Sequence, residues 1–373
     1  MKLSLPLVFS DIFHQLKQHG LSCYLTGSNL LRAAYGMPVK PPFQIITASP
    51  IDSVKKALSQ QDYCFIADNK RSPMQADALD FLYVSDIESY LQHQPFGVLG
   101  LAVDISGEIL SSKQCLTDLE QNTIRCQIDP QTCLELHPLS KLTSLRLVAQ
   151  FENLSLDESL YEAIRKNPSL SGCAKADIAW EINQLLVGNN ASAALMLMAQ
   201  LHLLDEIFPD LAACVGITQN EYHSKDVYGH TVDVVDQMPQ EHLALRMAAL
   251  FHDVCKPQCK QILDGKIRFP RHALFSADLC AKTLHEYGYA GAFSDKVHQL
   301  IRYHMKKQIL SDDELIAILH TCGPQTAREI FLLQLGDNAT TTYAYREGMY
   351  HNQQRTNELI AKMYPQSLPD NKK

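Results

Sequence analysis

The sequence predicts an α+β protein: a mixed α/β head over residues 1–130, then an all-helical remainder. Three observations carry this expectation. Short apolar runs bounded by turn residues are confined to the first third of the chain. After roughly Gln131 they give way to apolar residues recurring every three to four positions, the spacing of amphipathic helices. At 373 residues the chain is also longer than one ordinary domain.

Taken in order, a helical stretch at 12–19 precedes a short strand at 23–26, a turn through Gly27, Ser28 and Asn29, and a helix at 30–35 ended by Gly36. Further strands are expected at 44–47, 63–67, 81–84 and 100–105, with a hairpin turn over 105–109. Past the boundary one helix covers 176–186. Another covers 192–204 and carries Leu195, Leu197, Met198, Leu201 and Leu204, a stripe that reads as core. Residues 216–225 form a polar connection into a last helical unit, and the tail from Pro365 is loose.

Composition excludes several classes of function. Hydrophobic residues are 46% and charged residues 20%, so the chain folds into globular domains. Its net charge of −8 argues against packaging nucleic acid. Two locally basic stretches, 268–272 and 302–307, can still hold a phosphate, because the field at a site depends on nearby charges. Eleven scattered cysteines do not resemble a disulfide framework and suit a reducing compartment. The first residues lack a signal-peptide pattern and no apolar run reaches the ~18 residues of a membrane span. A cytoplasmic location, with no membrane partner, is the expectation.

The residues that carry chemistry lie between Tyr222 and Asp337. Leu243, Met247, Leu250, Phe251 and Val254 space one apolar helix face, which leaves His252 and Asp253 at its edge. Adjacent helical residues point about 100° apart, so both can meet one ion only with ligands from elsewhere. His230, His272, His304 and Asp337 are the candidates. Imidazole with carboxylate suits divalent Mn, Ni, Co, Mg or Fe, and a bridging carboxylate can hold two ions for attack on phosphorus. His242, His285, His298 and His320 are assigned to solvent or structure, and Cys255 and Cys259 to buried thiols.

This pattern resembles the HD-domain metal-dependent phosphohydrolases, with His230, His252-Asp253 and Asp337 standing for H…HD…D. The resemblance implies an all-helical domain in which those four residues bind one metal and Asp253 bridges. His272 and His304 would bind a second metal, and Lys256 would contact substrate phosphate.

The chain also resembles the tRNA nucleotidyltransferase and poly(A) polymerase family. Tyr24-Leu25-Thr26-Gly27-Ser28 with Gly36-Met37-Pro38 is similar to its glycine-rich strand, turn and helix. Residues 96–104 are similar to its RRDFTINALAYD segment, residues 137–139 with Arg146 to its arginine-rich neck, and 195–211 to a further segment. Where the family carries Asp-x-Asp, this chain has Pro42-Phe43-Gln44; the Arg-Arg-Asp triplet reads His93-Gln94-Pro95. Two-metal nucleotidyl transfer needs clustered carboxylates. Asp77, Asp80, Asp86 and Asp104 offer no spacing that argues for a replacement cluster.

The resemblances imply a nucleotidyltransferase-like head without catalytic carboxylates (1–130), a helical RNA-binding-like neck (131–215), a helical HD domain (216–365) and a flexible tail (366–373). The expected function is metal-dependent hydrolysis of a phosphomonoester or phosphodiester, with a nucleotide or an RNA end as candidate substrate and tRNA or other RNA as candidate partner. Nucleotidyl transfer is not expected. The alternatives are a catalytically silent tRNA-binding module and a tRNA nucleotidyltransferase with atypical catalytic residues.

Overall fold

The computed structural model describes residues 7–39, 43–58, 64–65, 79–104, 106–305, 309–341 and 346–365. The chain divides into two compact units, Met1–Trp180 and Glu181–Lys373. The architecture is α+β, a small mixed sheet within a largely helical chain.

Six strands make the sheet of the first unit: β1 Cys23–Thr26, β2 Phe43–Thr47, β3 Cys64–Phe65, β4 Leu79–Tyr83, β5 Leu101–Val103 and β6 Ile109–Ser111, in the order β3-β4-β2-β1-β5-β6. β4 runs parallel to β2 and β3, and the remaining pairs are antiparallel. Leu25, Ile45, Phe81 and Val103 pack on one face with Phe13 and Leu16. Ile46 and Ala102 pack on the other with Leu91. Cover on both faces explains why the strands read as continuous apolar runs and not as alternation. The β5–β6 hairpin falls where the turn signal places it; Ile105 itself, and most of the expected 63–67 strand, lie outside the described residues.

Strands do not end at Gln131 as the periodicity suggests. β7 Thr123–Ile124 pairs with β8 Ser155–Leu156, and β9 Gln261–Leu263 pairs with β10 Lys266–Arg268 around Asp264 and Gly265. Both pairs are short, two and three residues a strand, too short for an 11-residue periodicity window to register. The expected helix 192–204 is two helices, Ala191–Gln200 and Leu203–Ile207, because His202 adopts a left-handed φ of 59°.

In the second unit, helices Val227–Gln237, Leu243–Phe251, His272–Glu286, Gly291–Tyr303 and Asp312–Ala339 pack around a common core. A capping box of Ser311 and Glu314 starts the last of these. Buried Arg246 fastens the unit: its guanidinium donates to the carbonyls of Leu186 (2.5 Å), Gly188 (3.1 Å) and Met238 (3.2 Å). Arg246→Ala leaves three carbonyls without a donor, so we expect a loss of about 3 kcal/mol, readable as an earlier denaturant midpoint. An unchanged midpoint would show that water replaces the guanidinium.

Candidate metal centre

Asp226 caps the helix Val227–Gln237 by accepting from the Gly229 amide at 2.7 Å, which sets His230 in its first turn. His252 and Asp253 end the apolar helix Leu243–Phe251, His272 opens His272–Glu286, His304 closes Gly291–Tyr303, and Asp337 stands near the end of Asp312–Ala339. Five elements therefore deliver six side chains to one place, all of them buried.

Each imidazole is held by its outer nitrogen. His252 Nδ1 donates to the Ala249 carbonyl at 2.7 Å, His272 Nδ1 to Phe269 at 2.7 Å and His304 Nδ1 to Ile301 at 2.6 Å. Thr340 gives its hydroxyl proton to the Asp337 carbonyl at 2.8 Å, so His230 Nδ1 must donate to Thr340 Oγ1 at 3.1 Å. With every Nδ1–H committed outward, each imidazole, when neutral, turns its Nε2 lone pair inward.

Those lone pairs meet two carboxylates. Asp253 Oδ2 lies 3.1 Å from His252 Nε2 and 3.5 Å from His230 Nε2, while Asp337 Oδ1 lies 3.1 Å from His230 Nε2. Asp253 Oδ1 faces the other way, 3.2 Å from His272 Nε2 and 3.9 Å from His304 Nε2. His252 Nε2, His272 Nε2, His304 Nε2 and both Asp253 oxygens are buried with no hydrogen-bond partner. Buried acceptors facing buried acceptors cost several kcal/mol unless a cation lies between them. The donor set thus fits a divalent metal site; His230, His252 and Asp337 can share one ion, and His252, Asp253 and His304 also converge closely enough to do so.

Electrostatics agree with the geometry. Burial alone would raise the Asp253 carboxyl, yet His252 and Lys256 outweigh it and hold the group well below the usual carboxylate range. Burial pushes His230 down and His304 well down, keeping both imidazoles neutral. For His252 burial is outweighed by Asp253 and Asp337, which raise it. Lys256 Nζ donates to Gln219 Oε1 at 2.6 Å and forms an ion pair with Asp253 Oδ2 across 2.6 Å, and so partly neutralises the inner carboxylate.

A cavity of about 390 Å³ opens on this cluster, lined among others by His223, Asp253, Lys256, Arg268, Phe269 and His272. Sequence reasoning missed His223, Gln219 and Thr340. His223 packs edge-on against His230 with ring centroids 4.8 Å apart, and burial pushes it down to about 3. Its Nδ1 contacts Asn220 Oδ1 at 2.7 Å. No local spacing marks these three; only the folded helices bring them in. Of the two basic stretches, Arg268 reaches the cavity, Arg302 is exposed, and Lys306 and Lys307 lie outside the described residues. Cys255 and Cys259 are both buried, and burial pushes the Cys255 thiol up to about 11. His298 meets Asp278 at 3.0 Å.

In the first unit, Gly27 adopts φ 78°, and a Cβ there would stand 2.8 Å from Gln44 Oε1. Gln44 thus fills the space in front of the glycine turn, Phe43 beside it is buried, and Pro42 lies outside the described residues. Asp86 caps a helix through the Ser89 amide, and Asp104 binds Ser106 and the Glu108 amide within the hairpin. Asp80 stands in register with Gln44 on the neighbouring strand; Asp77 lies outside the described residues. Arg146 is buried, 5.2 Å over the Trp180 ring.

Fold and site together define a class: a chain with one α+β unit and one helical unit, the helical unit carrying a buried His/Asp cluster. Residues 220–351 match the HD domain family, and residues 153–215 match the family described as a probable RNA and SrmB-binding site of polymerase A. The chain is 26% identical over 240 residues to an A-adding tRNA nucleotidyltransferase of Deinococcus radiodurans, covering 61% of this chain and 54% of that one. It is 31% identical over 140 residues to a CC-adding tRNA nucleotidyltransferase of Thermus thermophilus, covering 36% and 32%. It therefore spans about half the length, or less, of these two relatives. The Bacillus stearothermophilus CCA-adding enzyme in complex with CTP shares the fold with a TM-score of 0.64 at 15% identity, over 94% of this chain and 82% of that one. The Thermotoga maritima CCA-adding enzyme complexed with tRNA follows at 0.52 and 11%, over 93% and 81%.

This chain is a tRNA nucleotidyltransferase-like protein with an HD domain. One expectation is corrected. Nucleotidyl transfer was set aside on the loss of Asp-x-Asp, but relatives named as nucleotidyltransferases, and matching folds, point toward that activity. The motif test weighs a few short segments, Pro42-Phe43-Gln44 and His93-Gln94-Pro95 among them, whereas the similarity extends over 61% of the chain. Among the described residues no helix is long and apolar enough to cross a membrane.

Proposed function

We propose that this chain acts on tRNA as a nucleotidyltransferase-type protein, with CTP or ATP as the nucleotide and residues 131–215 as an RNA-binding neck. Its support is the similarity to A-adding and CC-adding enzymes over as many as 240 residues, with the polymerase RNA-binding family matched at 153–215. Because Phe43 and Gln44 stand at the usual carboxylate positions, transfer would use atypical residues, and Asp80, in register with Gln44, is the first to test. Purified protein should incorporate labelled CTP or ATP into tRNA lacking its 3′ end, and Asp80→Asn should reduce incorporation at least tenfold. Wild type that leaves such tRNA unextended under all divalent metals would refute the transfer reading.

A second reading concerns the helical unit and rests on the inner ring of Asp253, His252, His272 and His304, whose facing atoms make no hydrogen bond and of which only Asp253 meets a cation, Lys256. Here His230, His252, Asp253 and Asp337 hold one divalent ion, and Asp253, His272 and His304 a second. A divalent ion there supplies Lewis acidity toward a phosphoryl oxygen and acidifies water, the chemistry of phosphoester hydrolysis. Lys256 steadies Asp253 and reaches the cavity, where an incoming phosphate would meet its ammonium. Elemental analysis combined with a phosphoester screen across Mn²⁺, Ni²⁺, Co²⁺ and Mg²⁺ tests it.

A further inference from the structure

Beside the metal centre lies a surface that neither reading uses. β9 and β10 form a two-stranded ribbon in which Ile262 pairs with Ile267 and Leu263 with Lys266. Ile262 is 72% exposed and Leu263 46%. An isolated two-stranded ribbon is marginal in water, and because successive strand residues face opposite sides, Ile262 and Leu263 leave one exposed apolar side chain on each face of it.

The ribbon is also basic in an acidic protein. Residues 261–271 carry Lys266, Arg268 and Arg271 against Asp264 alone, in a chain of net charge −8. Among the described residues no acidic side chain pairs with any of the three cations. Arg271 lies 5.3 Å over the ring of Phe275, itself 44% exposed, which places a guanidinium and an aromatic plate together at the surface. The ribbon runs directly into the centre: Ile267, Arg268 and Phe269 line the same cavity as Asp253 and Tyr222.

We propose that the β9–β10 ribbon with the Arg271–Phe275 pair is a docking track for single-stranded RNA, which delivers the end of the strand to the metal centre. This rests on the reading that the protein acts on tRNA. Unneutralised cations follow a phosphate backbone, while exposed aliphatic and aromatic faces accept unstacked bases. A duplex presents no base faces, and a cavity of about 390 Å³ has room for a unit the size of one nucleotide. The strand therefore enters by its end.

The test is fluorescence anisotropy with two probes, tRNA carrying an unpaired 3′ tail and the same tRNA with that tail annealed to a complementary strand. Ile262→Ser combined with Lys266→Glu should weaken binding of the tailed probe by about tenfold and lower the salt slope by about 1. The annealed probe should bind wild type and variant alike. Divalent-metal content of the variant, unchanged from wild type, verifies its fold. If wild type binds the tailed probe and the variant binds it equally with the same slope, the track is refuted while the tRNA reading stands. If wild type binds neither probe, both fall. A variant that changes sedimenting mass and not RNA affinity would assign the ribbon to contact between copies, overturning the proposal.

Discussion

Asp253→Asn is expected to empty the metal centre, taking bound divalent metal to below about a tenth of the wild-type content. The size of this effect follows from position. Asp253 is the one carboxylate whose two oxygens face different imidazole groups, Oδ2 toward His230 and His252 and Oδ1 toward His272 and His304. An amide at this position replaces one anionic oxygen by an N–H donor and removes the charge that either ion needs. The variant also leaves the Lys256 ammonium buried beside a neutral amide, so stability falls by about 3 kcal/mol or more. Asp337→Asn is the control, since Asp337 faces the imidazoles of His230 and His252, whereas Asp253 also pairs with Lys256. It should lower metal content while leaving the unfolding midpoint closer to wild type. Full metal occupancy in folded Asp253→Asn protein would exclude it as a ligand.

The second large effect is expected from a residue that touches no ion. Thr340→Val removes the hydroxyl that accepts from His230 Nδ1 and donates to the Asp337 carbonyl. Without it His230 can turn its ring or carry its proton on Nε2, where it blocks an ion. Partners that orient ligands in this way are commonly worth 10- to 100-fold in metal affinity. We expect a loss of about that size in a Mn²⁺ or Ni²⁺ titration, with Thr340→Ser restoring most of it because serine keeps the hydroxyl. A merely steric role for Thr340 predicts the reverse order, valine tolerated and serine weakened. Acidification acts on the same sites: proton and ion compete for Nε2, and Asp253 and Asp337 favour a proton on His252, so affinity falls as pH falls.

The composition of the centre was legible in the chain because a helix carries its own pattern. Leu243, Met247, Leu250, Phe251 and Val254 announce a buried face, and a His-Asp pair at its edge has nowhere chemically neutral to go. His230, His304 and Asp337 could be nominated from the helical or apolar runs that carry or precede them, and His272 from the turn Phe269-Pro270-Arg271 that it follows. The head sheet was legible through its turn residues. The transferase reading shows the opposite limit: absence of Asp-x-Asp at positions 42–44 was a local observation, and similarity spread over most of the chain pointed elsewhere.

Sequence alone thus determined which imidazole and carboxylate side chains the chain carries near helix ends and that helices present them, since periodicity and side-chain chemistry are local properties. Tertiary structure decided which oxygen of Asp253 faces which imidazole, that Gln219 stands behind Lys256 and Thr340 behind His230, and that a basic ribbon borders the cavity. These depend on helix ends meeting from residues as far apart as His230 and Asp337, 107 positions along the chain. Distances across a packed core are set by the sum of all its contacts, and no window of the sequence contains that sum.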